Sequence, residues 1–145
     1  MDKYDVLKLD NQFCFSVYAL SKEITKLYKP FLKKLDLTYT QYITMLVLWE
    51  EDHITVNEIG KKLALDSGTL TPLLKKLEEK ELIIRQRKKD DERNVNIFLS
   101  EKGKKLKDKA VEVPFKLIEQ IQIDPLKIIE LKNAIQEINA KLMKE

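Results

Sequence analysis

The chain has one cysteine, one histidine, three glycines and four prolines among its 145 residues, and each scarcity closes off a class of structure. A lone cysteine, Cys14, excludes an intrachain disulfide framework, and with His53 as the only imidazole no zinc-type ligand cluster can be assembled. So few turn-forming residues leave little room for an all-β fold. Long apolar runs are missing as well. The longest, "YITMLVLW", is too short to span a bilayer, and the opening "MDKYDVLKLD" lacks the basic-then-apolar layout of a secretion signal. These absences predict a soluble, cytoplasmic protein with no membrane partner and no cofactor. No single sign of charge dominates either, because 27 basic residues stand against 24 acidic ones, so the placement of charge has to indicate the partner.

What the chain does have is helical periodicity and 43% apolar residues, enough for a real core. Phe13, Val17, Leu20, Ile24 and Leu27, at steps of three and four, predict an amphipathic helix from about residue 10 to 34 with Asp10 as N-cap. Thr38 with Gln41, and Thr55 with Glu58, have capping-box spacing and start two further helices joined through "DHI". Asp66 is placed to cap a fourth helix. Its inward stripe is Leu70, Leu74 and Leu77, and its outward face carries Gly68, Thr71, Pro72, Lys75 and Lys76. Pro72 removes a backbone bond to the Gly68 carbonyl, which predicts a late or distorted start.

The period then changes. "LIIRQRKKDDERNVNIFLS" reads as a two-stranded hairpin with a charged tip at residues 88–94, and Val95, Ile97 and Leu99 alternate along its second strand. Helical spacing returns with Leu106, Ala110, Val113, Leu117 and Ile121, in a helix that Pro114 should bend. A last helix starts at Asp124 and Pro125. It carries Ile128, Leu131, Ile135, Ile138 and Leu142, a seam suited to packing on another helix.

A short helix, a tight turn, a second capped helix and a hairpin, in that order, predict a winged helix-turn-helix. The expected fold class is mainly α with a small β-hairpin wing, in one domain over residues 1–145. Residues 36–103 form the DNA-binding region, and residues 1–35 and 104–145 form flanking dimerisation helices. The fourth helix would lie in the major groove and present Ser67, Gly68, Thr69, Thr71, Pro72, Lys75 and Lys76. The wing offers Arg85, Arg87, Lys88, Lys89 and Arg93 to the backbone and minor groove, with Asp91 holding Arg93 in a fixed direction. A lysine-bearing face or a "KKDDER" run alone is usually just solvated, so it is the order of the parts that carries this expectation.

The stretch "DSGTLTPLLKKLEEKELI" followed by "DDERNVNIFLSEKG" resembles the MarR family of winged-helix regulators, whose wing carries an Asp-x-Arg pair and is followed by a Leu-Thr-x-x-Gly helix start. The matching positions are Asp91, Arg93, Leu99, Ser100 and Gly103, with serine preserving the capping hydroxyl. "LDNQFCF", "YKPFLKKL", "LTYTQY" and "LDSGTLTP" are similar to the organic-hydroperoxide sensors of that family, apart from Thr40, where proline is frequent. The resemblance implies a homodimer on a pseudo-palindromic double-stranded DNA operator. It also implies a redox site in which a peroxide oxidant reacts with Cys14 while Tyr28 and Tyr39 hydrogen-bond its sulfur.

The residues themselves leave the character of Cys14 open. Its place in the first turns of a helix favours a thiolate, whereas apolar neighbours such as Phe13 and Phe15 disfavour one. Tyr18 lies one turn away and can donate to the sulfur directly. Tyr28 lies fourteen residues on, about 21 Å along a helix. If Tyr28 serves the sulfur, two such helices must cross antiparallel about a two-fold axis near Ser21. With no second cysteine, the oxidised sulfur persists as sulfenate, is capped by a low-molecular-weight thiol as a mixed disulfide, or overoxidises. The expected function is a non-enzymatic repressor that releases its operator when Cys14 is oxidised by organic hydroperoxides. The alternatives are a MarR-type repressor released by a small aromatic ligand, with Cys14 incidental, and a thiol peroxidase, which the lack of a resolving cysteine disfavours.

Overall fold

A computed structural model of the chain describes residues 2–88 and 91–143, with backbone alone for residues 88 and 91–94. After two short 3-10 turns the order is α1 (Phe13–Lys33), α2 (Tyr39–Glu50), β1 (Ile54–Thr55), α3 (Val56–Leu63), α4 (Ser67–Glu79), β2 (Ile83–Lys88), β3 (Asp91–Leu99), α5 (Glu101–Ala110), α6 (Glu112–Ile121) and α7 (Pro125–Leu142). The fold is mainly helical with a small antiparallel sheet, as the sequence pattern predicts. It divides into two compact units, Met1–Val111 and Glu112–Glu145.

Helix starts follow local capping chemistry. The Thr38 hydroxyl accepts from Gln41 N–H at 3.3 Å while Gln41 Oε1 accepts from Thr38 N–H at 3.1 Å, and Thr55 and Glu58 reciprocate at 3.2 Å each. Asp66 accepts from Thr69 N–H at 2.7 Å, Ser100 from Gly103 N–H at 3.0 Å and Asp124 from Leu126 N–H at 3.0 Å. Each such cap is worth about 1 kcal/mol.

Four expectations need correction. Asp10 does not cap α1; it falls in the second 3-10 turn, and α1 starts after Gln12. The Gln12 amide folds back to donate to the Val6 and Lys8 carbonyls at 2.7 and 2.9 Å, which ties the arm down and moves the helix start past Asp10. α4 begins at Ser67 without delay, because Pro72 and Gly68 both lie on its exposed face, where water reaches the carbonyl that proline leaves unpaired. The helix expected to bend at Pro114 is instead two, α5 ending at Ala110 and α6 starting at Glu112, since Pro114 has no N–H for the Ala110 carbonyl. The hairpin gains a third strand. β1 pairs antiparallel with β3 (Ile54 opposite Ile97, Thr55 opposite Asn96), giving the order β1-β3-β2. Asp52 Oδ1 secures that edge by accepting from Leu99 N–H at 2.8 Å, and His53 stacks on Phe98 with ring centroids 5.0 Å apart.

The core of the first unit joins Met45 and Leu48 of α2, Ile59 of α3, Leu70, Leu74 and Leu77 of α4, and Ile83 and Ile97 of the sheet, all fully or almost fully buried. Gly103 lets α5 press on the start of β2: a Cβ there would collide with the Leu82 carbonyl, and Trp49 Nε1 donates to the Gly103 carbonyl at 2.9 Å. The chain's ends are different. α7 buries no residue, and Leu126, Ile129, Leu131, Ile138 and Leu142 are exposed, as are Phe13, Phe15, Val17, Tyr18 and Leu20 of α1. Among the described residues no helix is long and apolar enough to cross a membrane.

The shortage of glycine has a conformational cost. Asp36, His53, Ala64, Glu81 and Gln122 hold left-handed backbone, with φ of 55°, 61°, 55°, 62° and 54°. Each costs roughly 1–2 kcal/mol for an L-residue, less for aspartate. Ala64, the C-cap of α3, is exposed, so burial of its methyl group does little to offset this. Ala64→Gly should therefore raise the unfolding free energy by about 0.5–1 kcal/mol, the relief of strain less the added entropy of the unfolded chain. Urea midpoints of the two proteins check this, and an unchanged or lower midpoint contradicts it.

Candidate DNA interface and redox site

α4 shows two chemically distinct faces. Leu70, Leu73, Leu74 and Leu77 are buried, while Ser67, Gly68, Thr69, Thr71, Pro72, Lys75 and Lys76 are all exposed. The outward face therefore offers hydroxyls and ammonium groups, with no bulky aliphatic side chain to hold a groove at a distance. The turn into it is tight: Leu65 N–H reaches back to the Gly60 carbonyl at 3.0 Å through the left-handed Ala64. Hydrogen bonds from Thr69, backbone first and then hydroxyl, hold the Asp66 carboxyl below the usual aspartate range.

The wing ladder runs out to Lys88 opposite Asp91, with an irregularity between Arg87 and Lys88. Strand pairing thus extends further into the expected 88–94 tip than the sequence pattern indicated. Arg87 is exposed. Lys89 lies outside the described residues, as do the side chains of Lys88, Asp91 and Arg93. Arg85, grouped with the wing contacts from sequence, also has a partner within the fold. It stands at the wing root, half-buried, and its Nε and Nη2 donate to the two carboxylate oxygens of Glu78 on α4 at 3.2 and 3.1 Å. That fork ties β2 to the end of α4, and it holds the Glu78 carboxyl below the usual glutamate range, with smaller help from Arg87.

Cys14 is the second residue of α1 and is exposed, with Phe13, Phe15 and Tyr18 exposed around it. Lys22 Nζ sits 5.2 Å above the Tyr18 ring. The other two tyrosines expected at the sulfur lie at the far end of the helix. Tyr28 and Tyr39 have ring centroids 5.0 Å apart, and Tyr42, which the sequence pattern did not single out, joins them at 5.7 and 6.5 Å. Burial first, then the proximity of Tyr39 and Tyr42, pushes the Tyr28 hydroxyl up to about 12, and burial with Tyr39 raises Tyr42 too. Tyr28 and Tyr42 are therefore uncharged hydrogen-bond donors at any physiological pH. Beside them runs a groove of about 780 Å³ lined in part by Ser21, Thr25, Tyr39, Thr40 and Lys80. The fold thus brings Tyr28 and Tyr39 together and keeps Cys14 and Tyr18 near the opposite end of the same helix. Tyr42, one turn after Tyr39, was findable from its spacing. Glu78 and Lys80 become functional candidates only once the tertiary structure is known.

A helix-turn-helix followed by a β-wing, with a solvent-facing polar and basic second helix, defines a winged-helix DNA-binding regulator. Residues 26–110 match the family model described as transcriptional regulator SarA/Rot. The chain is 54% identical over 113 residues to the organic hydroperoxide resistance transcriptional regulator of Bacillus subtilis, covering 78% of this chain and 77% of that one. It is 40% identical over 133 residues to the regulator SarZ of Staphylococcus aureus, covering 92% and 90%. Reduced AbfR bound to DNA superimposes with a TM-score of 0.79 at 35% identity, over 97% of this chain and 95% of that one; AbfR is a protein of Staphylococcus epidermidis. The disulfide-formed state of AbfR superimposes less well, with a TM-score of 0.62. The chain belongs to the MarR family of winged-helix transcriptional regulators, within its organic-hydroperoxide type.

The Glu78–Arg85 fork has a definite pH signature. Because the fold lowers the Glu78 pKa, the stability it contributes is present above the pKa of an unfolded glutamate and is lost as pH falls through the lower folded value. Chemical denaturation of wild type and Glu78→Gln should show wild type more stable at neutral pH, with the gap closing on acidification. A gap that stays constant into the acid range contradicts the ionic role.

Proposed function

We propose that the protein is a cytoplasmic homodimeric repressor that leaves a pseudo-palindromic operator when Cys14 is oxidised by organic hydroperoxides. The observation that carries this is the division of one helix. A solvent-open thiol stands near the start of α1 and a cluster of protonated phenols stands fourteen residues later, too far apart to meet within one chain. The similarity to a hydroperoxide-resistance regulator supports the redox part. The DNA-bound form of reduced AbfR supports the operator part.

In this reading the exposed apolar faces of α1 and α7 are covered by a second copy of the chain. The two α1 helices cross antiparallel, so that Tyr28 and Tyr39 donate hydrogen bonds to Cys14 of the partner subunit. The thiolate attacks the hydroperoxide, the O–O bond breaks, one oxygen stays on sulfur as sulfenic acid and the other leaves as an alcohol after taking a proton. Capping by a small cellular thiol then releases water and leaves a mixed disulfide, whereas a second oxidation gives sulfinic acid. Either product enlarges the group among the tyrosines and displaces them. The exposed face of α4, from Ser67 to Lys76, enters the major groove. Arg87, Lys88, Lys89 and Arg93 of the wing reach the flanking backbone and minor groove, with Asp91 steering Arg93. Phe13, Phe15 and Val17 favour aryl or lipid-like hydroperoxides over hydrogen peroxide.

Gel shifts of the reduced protein on its own promoter, repeated after stoichiometric cumene hydroperoxide, test this directly. Wild type should bind and then release, while Cys14→Ser should bind equally well and not release. Release of the Cys14→Ser protein would replace the redox reading with a ligand-driven one.

A further inference from the structure

We propose that Lys80 is the positioning residue that couples the tyrosine corner to the recognition helix; the proposal rests on the redox reading above. Lys80 is the C-cap of α4, and its side chain turns away from the DNA-reading face. Its Nζ donates to the Asp36 backbone carbonyl and, at 2.9 Å, to Gln41 Oε1, and lies 3.9 Å from Asp36 Oδ1. Its own carbonyl accepts from Lys102 Nζ of α5 at 3.1 Å.

The two acceptors sit where elements join. Asp36 is the left-handed residue that turns the chain from α1 into α2, following a Leu37 N–H bond back to the Leu32 carbonyl at 3.1 Å. Gln41 is 6% exposed, and the same Oε1 that receives the ammonium also accepts Thr38 N–H in the capping box of α2. Tyr39 belongs to that capped turn and stands 5.0 Å from Tyr28, ring centre to ring centre. One ammonium group therefore fastens the end of α1, the first turn of α2 and the end of α4 to each other.

A change at the sulfur acts on Tyr28 and Tyr39. Moving Tyr39 shifts the α2 capping turn, and Gln41 moves with it. The bond from Lys80 to Gln41 then transmits the shift to the C-terminus of α4, whose other end carries Ser67 to Thr71. Met45 and Leu48 of α2 and Leu70, Leu74 and Leu77 of α4 are buried apolar side chains, whose packing has no fixed direction, whereas the ammonium of Lys80 makes charge-assisted hydrogen bonds to two defined acceptors. Lys80 thus acts in coupling, while Lys75 and Lys76 act in DNA affinity.

The test uses the full chain as wild type, Lys80→Met and Lys80→Arg. Three quantities are read: the rate of Cys14 sulfenic acid formation by cumene hydroperoxide, trapped with dimedone, and promoter affinity before and after oxidation. Lys80→Met keeps the aliphatic stem and loses the donors. It should oxidise at the wild-type rate, while the ratio of reduced to oxidised affinity falls by about 2- to 30-fold, the range for residues that carry coupling. Lys80→Arg, which keeps donors, should restore the ratio. If Lys80→Met does not fold, Lys80→Gln, whose neutral amide is too short to reach both oxygens, takes its place with the same expectation. A wild-type ratio in the donor-less variant overturns the coupling role alone, because wild type measured alongside still releases. Failure of the oxidised wild type to release overturns both this role and the redox reading beneath it.

Discussion

The length of α1 is the constraint from which the rest follows. Its 21 residues form one helix from Phe13 to Lys33, with Pro30 only in the last turn, and each adds about 1.5 Å, so the thiol near its start and the phenol cluster near its end are held apart by the helix itself. No side-chain rotation closes a gap of about 21 Å. A sensor built from Cys14, Tyr28 and Tyr39 is complete only when a second α1 lies antiparallel to the first. The exposed aliphatic and aromatic side chains along the start of α1 are what such a crossing would bury.

Three tyrosines, Tyr28, Tyr39 and Tyr42, cluster at the other end. A phenol serves a thiolate only while it keeps its proton, and burial beside two further phenols keeps Tyr28 protonated up to about 12. Tyr42, almost fully buried, supports that environment from α2. From this corner polar contacts lead to α4 and on to the wing, with Lys80 at one end of α4 and the Glu78–Arg85 fork joining α4 to β2. The C-terminal end of α4 is thus held both by the α1–α2 corner, through Lys80, and by the root of β2, through Glu78.

The capping boxes at Thr38 and Thr55, the caps at Asp66 and Asp124 and the inward leucines of α4 were legible because each depends on residues three or four apart. The exposed face of α4 followed directly from the same period. Other features were not legible, for different reasons. β1 is two residues long, too short to show alternation, and exists because Ile54 meets Ile97 forty-three residues later. Lys80 reaches acceptors 44 and 39 residues back in the chain, and no local pattern marks such a pair. Asp10 misled because aspartate before an apolar run is a good cap in general, while here the Gln12 amide turns back on the arm and starts the helix later. The pairing of Arg85 with Glu78 was not legible either, because a basic residue in a charged hairpin looks like its neighbours until Glu78 is seen beside it.

The central claim, that the redox site is shared between two chains, is tested most directly by a mixed dimer of one Cys14→Ser chain and one Tyr28→Phe chain, separated by different affinity tags. Its single Cys14 sits on the chain without the Tyr28 hydroxyl and faces the intact Tyr28 of the partner subunit. A shared site predicts that this cysteine forms sulfenic acid with cumene hydroperoxide at the wild-type rate. Oxidation at the slower rate of the Tyr28→Phe homodimer would show that Tyr28 acts within its own chain, and would contradict the claim.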